Sequence, residues 1–316
     1  MTKGKSGREL PNARLVSIAI RNAPADHLHQ APGRHTHMLM AFGQLIDHDI
    51  ALTPDVRGPN NSLLQCCGDQ ASPACMPVRL ADDDPYFGPR NIKCLNFVRA
   101  SGCTDCTGFH ERRSVNQQTA YLDASHVYGS SAAALATLRN TSQPELLLLP
   151  NGILPRSLNP SEDGCSDPSS SHFCFRAGDG RVNQQPGIAA LQILYARQHN
   201  RLARGLRRLH PDWKAEMVFQ EARRILVAQH QHMVYREFVP EMLGYGRSAA
   251  LGLGNPFERT HYDPNNDPSI LVEFTAAAFR FGHGLAGDFT LADCRGRVTD
   301  YRLSDRYFQV QDLYQK

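Results

Sequence analysis

The chain has 316 residues, a formal net charge of +3, and 41% hydrophobic against 21% charged residues. That is the balance of a folded globular protein long enough for one or two domains. The small charge gives no reason to expect a nucleic-acid or membrane partner. No apolar run approaches bilayer-spanning length; ELLLLP at 145–150, among the greasiest stretches, is far too short.

In chain order, residues 1–10 are polar, read as disordered, and contain no signal peptide. Residues 35–50 place Met38, Phe42, Leu45, Ile46 and Ile50 at helical spacing, and Pro54 stops the helix. Residues 56–118 read as a long irregular region stapled by cysteines. Residues 131–139 predict a short helix, and 150–185, rich in Ser, Pro, Gly and Asp, a loop. Pro186 opens a helix carried to about Arg208 by Ile188, Leu191, Leu194, Tyr195 and Leu202. The pattern returns over 213–235 and again over 268–285, while strand signals are sparse. The expected fold is mainly α-helical with long loops.

Six of the nine cysteines fall within 66–106, which points to disulfides and an oxidising compartment. By order alone, Cys66 pairs with Cys75, Cys67 with Cys94, and Cys165 with Cys174. Sequons at Asn60 and Asn140 agree with secretion; Asn159 is excluded because Pro160 follows. Cys103, Cys106 and His110 form C-x2-C-x3-H, open to zinc although disulfides fit better.

Four stretches carry candidate chemistry. GQLIDHDIALTPD at 43–55 sets His48 between Asp47 and Asp49 in an otherwise apolar helix. Consecutive helical residues diverge by about 100°, so the three side chains suit three separate tasks. His48 is a candidate acid/base, with Gln44 one turn back on its face. In NQQTAYLDASHVYGS at 116–130, Thr119, Tyr121, Asp123 and Ser125 alternate. This spacing fits an oxygen loop around a hard cation, with Asp49 as a second carboxylate, or else a half-buried strand. FRAGDGRVNQQPG at 175–187 presents Arg181 on a tight turn at a helix start. EFTAAAFRFGHGLAG at 273–287 has small residues that leave room for a flat ligand beside His283, with Arg280 one turn before it. Taken alone, the third also reads as an ordinary loop arginine, and the lone histidine of the fourth is more often a satisfied core residue than a ligand.

In this order, together with LPNARLVS at 10–17 and ARQHNRLA at 197–204, these stretches resemble the animal haem peroxidases, a family that includes peroxinectins, chorion peroxidases and peroxidasin. The resemblance implies that fold and an extracellular enzyme carrying haem b and Ca2+. It implies His48 as distal histidine, Arg181 as distal arginine and Gln44 as distal glutamine. Asp47 becomes the residue esterified to a haem methyl, His283 the proximal iron ligand, and Arg280 the partner of a haem propionate. Asp49, Thr119, Tyr121, Asp123 and Ser125 become the calcium set. The implied partners are hydrogen peroxide and phenolic, tyrosyl or halide donors, within an oxidative-stress setting. Gln184 stands where the family usually has an ester-forming glutamate. Gln185 stands where myeloperoxidase has the methionine of its sulfonium link, so strong chloride oxidation is not expected. Family catalytic domains run well past the proximal histidine, so 11–316 reads as an incomplete domain, inactive on its own, with a partner for Cys294 outside it. Two other readings are an adhesion or matrix protein on the same fold without turnover, and a cytosolic zinc protein built on Cys103, Cys106 and His110.

Overall fold

The computed structural model describes residues 4–21, 35–68, 72–103, 113–160, 165, 167, 171–253, 263–292, 296 and 298–314. The chain divides into two compact units, one of residues 1–33 with 52–117, the other of 34–51 with 118–316.

The first unit holds helix α1 (Ala13–Arg21) and a two-residue antiparallel ladder, β1 (Val78–Arg79) with β2 (Cys94–Leu95). Its buried apolar residues are few, Cys66 and Leu80 among them. Cross-links do much of the work that a large core does elsewhere. Cys66–Cys75 and Cys67–Cys94 form as expected, and Arg14 meets Asp84 at 2.7 Å. Asp84 also accepts the backbone N–H groups of Tyr86 (2.9 Å) and Phe87 (2.8 Å), fixing the turn after Ala81. Cys103 is disulfide-bonded and so is no thiolate for zinc; Cys106 and His110 lie outside the described residues.

The second unit is mainly helical. Helix α2 (His37–Ile50) buries its last turns completely, from Leu45 through Ile50. Short helices α3 (Ser125–Tyr128) and α4 (Ala132–Ala136) follow. The long helices α5 (Pro186–Leu209) and α6 (Ala215–Met233) pack on each other. Pro186 sits at the first helical position of α5, and the Gln185 side chain caps it by accepting from the Gly187 N–H at 2.6 Å. The main core joins Leu45, Val127, Tyr128, Phe175, Val182, Ile188 and Phe219. Cys165–Cys174 closes the expected third disulfide; Cys294 lies outside the described residues.

Three segments differ from their sequence patterns. The 213–235 helix ends at Met233 in a π-turn over Val234–Phe238, before α7 (Val239–Leu243) and α8 (Tyr245–Ala250). Pro240 has no N–H for the carbonyl four residues back and its ring clashes there, so the chain widens instead of continuing as α-helix. The 268–285 pattern gives only α9 (Val272–Ala276), a break at Ala277 (φ −133°, ψ −66°), and a 3-10 run over Ala278–Leu285 containing two glycines. A hairpin, β3 (Phe289–Ala292) with β4 (Val298–Tyr301), follows, each strand too short to register as a pattern. No helix among the described residues is long and apolar enough to cross a membrane.

Candidate functional site

Within the second unit lies a cavity of about 320 Å³. Gln44, Asp47 and His48 from α2 line it, together with Arg181, Gln184 and Gln185 from the turn before α5, and Arg280 and His283 from the 3-10 run. Leu39, Phe238, Met242, Phe279 and Phe281 give it apolar walls. The π-turn puts Phe238 against α2, where a Cβ on Gly43 would lie 3.1 Å from its ring, so glycine there admits the close approach.

The helix carries His48 inward because Ile46 and Ile50 pack into one cluster with Val234 and Phe238 while Ala41 and Leu45 pack into the main core. His48 is 2% exposed. Burial first, then the charge of Arg181, pushes its pKa down to about 3, so the ring is neutral across the physiological range. Gln184 Oε1 accepts from Gln44 Nε2 at 2.8 Å, and Gln44 Oε1 in turn accepts from Gln185 Nε2 at 3.0 Å. A chain of three amides therefore lines the cavity beside His48.

Arg181 is held from behind. Its Nε and Nη2 donate to the two carboxylate oxygens of Asp179 at 2.9 and 2.8 Å, and Nη2 also donates to the Ala51 carbonyl at 2.9 Å. Asp179 is fully enclosed; burial pushes its carboxyl up, but the bonds and charge of Arg181 outweigh this and hold it below its usual range. Gln118 donates to the same carboxylate, and His48 Nδ1 is 3.8 Å away. The sequence reading gave Asp179 no role; its place two residues before Arg181, between glycines, was the available signal. Gly178 is required here, since a Cβ would sit 2.5 Å from the Gly129 nitrogen and closer still to the Ser125 carbonyl.

Asp47 faces the cavity between two guanidinium groups, Arg181 at 3.7 Å and Arg280 at 3.8 Å. Burial raises its pKa against the pull of Arg280 and Arg181, and its Oδ1 has no hydrogen-bond partner among the described residues.

The five oxygen-bearing residues come together behind His48. Thr119 Oγ1 donates to Asp123 Oδ1 (2.9 Å), which also accepts the Ser125 N–H (3.1 Å). Ser125 Oγ donates to Asp49 Oδ1 (3.0 Å) and to the Asp49 carbonyl (2.7 Å). The Tyr121 ring is exposed, and its contribution is a carbonyl. Residues 118–124 are bends and irregular backbone, not the half-buried strand that alternation also allowed, and Ala124 adopts a left-handed φ of 57° to start α3. Two carboxylates, two hydroxyls and a carbonyl are a donor set for a hard cation.

Comparison with known proteins follows the same lines. The family described as animal haem peroxidase matches residues 1–316. The chain is 37% identical over 301 residues to the chorion peroxidase of Aedes aegypti, covering 90% of this chain and 37% of that protein. It is 38% identical over 305 residues to mouse myeloperoxidase, covering 90% and 40%. Among solved structures, peroxidase A from Dictyostelium discoideum superposes with a TM-score of 0.67 at 27% identity, covering 88% of this chain and 53% of that one. The chain thus spans well under half the length of these curated relatives.

Proposed function

Because the chain belongs to the animal haem peroxidase family, we propose that it reduces hydrogen peroxide and oxidises small phenolic, tyrosyl or halide donors, in the extracellular space, with haem b in the 320 Å³ cavity. One observation carries the reading: His48, Arg181 and Asp47 share a single cavity with Arg280 and His283. The fit of the group rests on this site's own chemistry. The cavity has apolar walls, and into its lining come an imidazole and a guanidinium from α2 and the turn before α5, the Asp47 carboxylate, and a second imidazole and guanidinium from the 3-10 run. In this reading His283 would hold the iron, Arg280 would meet a propionate, and Asp47 would stand where the porphyrin edge could be linked to a carboxylate. Gln184, an amide, leaves the second family ester unmade.

Bound haem supplies the redox centre that takes electrons from donors and passes them to peroxide. Peroxide reduction also needs a proton moved from one oxygen to the other before the O–O bond can break with water as the leaving group. Neutral His48 accepts that proton and returns it to the departing oxygen. Its low pKa keeps the proton from staying on the ring. Arg181, fixed by Asp179, holds positive charge beside the oxygen on which negative charge develops. Gln44 orients the small molecules that enter. Asp49, Thr119, Tyr121, Asp123 and Ser125 would hold Ca2+, and because Asp49 adjoins His48 the ion would brace the distal helix.

The test is rapid mixing of the haem-loaded protein with peroxide. His48→Ala should slow the first oxidation step by about 10²–10⁴-fold while haem stays bound. The wild-type rate should be flat from neutral pH to about 4 and fall toward pH 3 as His48 protonates. A near-normal rate in the variant removes His48 from its role. Acidified organic solvent should extract haem from Asp47→Asn but not from the parent protein.

A further inference from the structure

Asp49 meets two histidines that the peroxidase reading leaves without a task. His126, in α3, and His230, in the last turn of α6, are both fully buried. His126 Nδ1 lies 3.3 Å from Asp49 Oδ1, and His230 Nε2 lies 3.2 Å from Asp49 Oδ2. Ligand atoms of the three side chains all fall within 4.8 Å of one another. Yet neither approach has hydrogen-bond alignment: among the described residues, both nitrogens of His126 and Nε2 of His230 have no hydrogen-bond partner. Each imidazole stands against a different oxygen of the Asp49 carboxylate, and all three ligand atoms crowd one small volume. Buried polar nitrogens in a native interior are almost always satisfied. The other nitrogen of His230 is anchored, with the Tyr195 hydroxyl 2.8 Å from Nδ1. That outer contact selects the ring face and leaves Nε2 for a ligand.

We propose that Asp49, His126 and His230 form a binding site for a divalent transition-metal ion of the zinc class. Two imidazoles and a carboxylate are donors for such an ion, unlike the oxygen-only set of Thr119, Tyr121, Asp123 and Ser125. Ligands about 2.0–2.1 Å from a tetrahedral zinc are about 3.3 Å apart; each imidazole nitrogen is at that spacing from one of the two carboxylate oxygens, and all the ligand atoms lie within 4.8 Å, so small side-chain rotations close the set. A water molecule would complete the shell. Asp49 has two carboxylate oxygens, so it can bridge this ion and a calcium ion in the neighbouring loop. The proposed ion ties the end of α2, one residue beyond His48, to α3 and α6.

The test uses the holoprotein with calcium kept saturating. It is dialysed against Zn²⁺, washed, and assayed for both metals, and its zinc K-edge X-ray absorption is recorded, a signal that iron and calcium do not disturb. One retained zinc per chain, a first shell with scattering from two imidazoles, and unchanged calcium support the site. His126→Gln and His230→Gln should each weaken zinc retention by at least about tenfold while calcium stays. Zinc retained equally by the double variant, no stoichiometric zinc in the parent, or a zinc shell without imidazole would overturn it. Should the variants fail to fold, the absorption spectrum of the parent protein decides the matter alone.

Discussion

The two walls of the cavity are built differently. On the His48 side, Asp47, His48, Asp179 and Gln185 are buried, and Arg181 is fixed by two hydrogen bonds to Asp179. On the His283 side, the 3-10 run is exposed: Phe281 keeps 49% and Leu285 45% of their surface, and the Arg280 side chain 47%. Phe279 alone packs inward, against the Ile46 and Phe238 cluster. The buried wall is rigid because packing and hydrogen bonds over-determine it. The exposed wall is placed by a short turn. Substitutions on the first should therefore cost stability and function together, and on the second mainly ligand affinity.

The strongest way to break the buried wall is Asp179→Ala. It strips Arg181 of both its carboxylate bonds in an enclosed site, where breaking an ion pair costs about 3–5 kcal/mol. Chemical denaturation should show the midpoint falling without a change in slope. The peroxide step should slow as well, since Arg181 loses its orientation.

Acid probes the main core of the same unit through His199, which packs on Phe219. Its Nδ1 meets the Tyr128 hydroxyl at 2.8 Å and its Nε2 the Pro144 carbonyl at 3.0 Å, which suits a neutral ring. Burial lowers its pKa to about 4 from the usual 6.5. Between those values the unfolded chain binds the extra proton and the folded chain does not. Stability is therefore untouched by this group above pH 6.5, falls as pH drops through the window, and levels off below 4. The loss is roughly 3 kcal/mol at 1.36 kcal/mol per pKa unit. His199→Gln, which keeps a donor for Pro144, should flatten the slope over that window in thermal or denaturant melts; an unchanged slope would assign the acid sensitivity to other groups.

A smaller effect is expected at Gly178. Alanine there forces its Cβ onto the Ser125 carbonyl and the Gly129 nitrogen. Backbone must shift, at about 1–3 kcal/mol. The displaced turn also carries Asp179 and Arg181, so peroxide reactivity should fall with stability.

The contrast between the walls also marks what the sequence could reveal. Helix periodicity located α2, α5 and most of α6, because long amphipathic faces repeat the same signal many times. Motif resemblance supplied His48, Arg181, Asp47, Arg280 and His283, and the fold brings all five to one cavity. What stayed hidden depends on long-range contact. Nothing local tells that Gln185, Gln44 and Gln184 link into a chain of amides, because Gln44 lies 140 residues from Gln184. Asp49, His126 and His230 come from three separate helices, so no spacing could unite them. The break at Ala277 and the π-turn before Pro240 arise where periodic side chains meet a backbone that cannot follow.

The smallest stability change should come from the exposed wall, and it is the sharpest test of the contrast. Arg280 reaches Asp47 at 3.8 Å, too far for a strong ion pair, and its side chain is half in water. Arg280→Gln should therefore move the unfolding free energy by no more than about 0.5 kcal/mol, the range of surface substitutions. Its charge nevertheless borders the cavity, where a porphyrin carboxylate would need it. Loss of a charged hydrogen bond to a ligand costs about 1.5–3 kcal/mol, or about 10–150-fold in affinity. Haem titration followed by absorbance should show weakened binding in a variant that melts like its parent. Equal losses in both measurements would mean that the two walls fold as one cooperative structure, and that exposure is a poor guide to how firmly this side of the cavity is held.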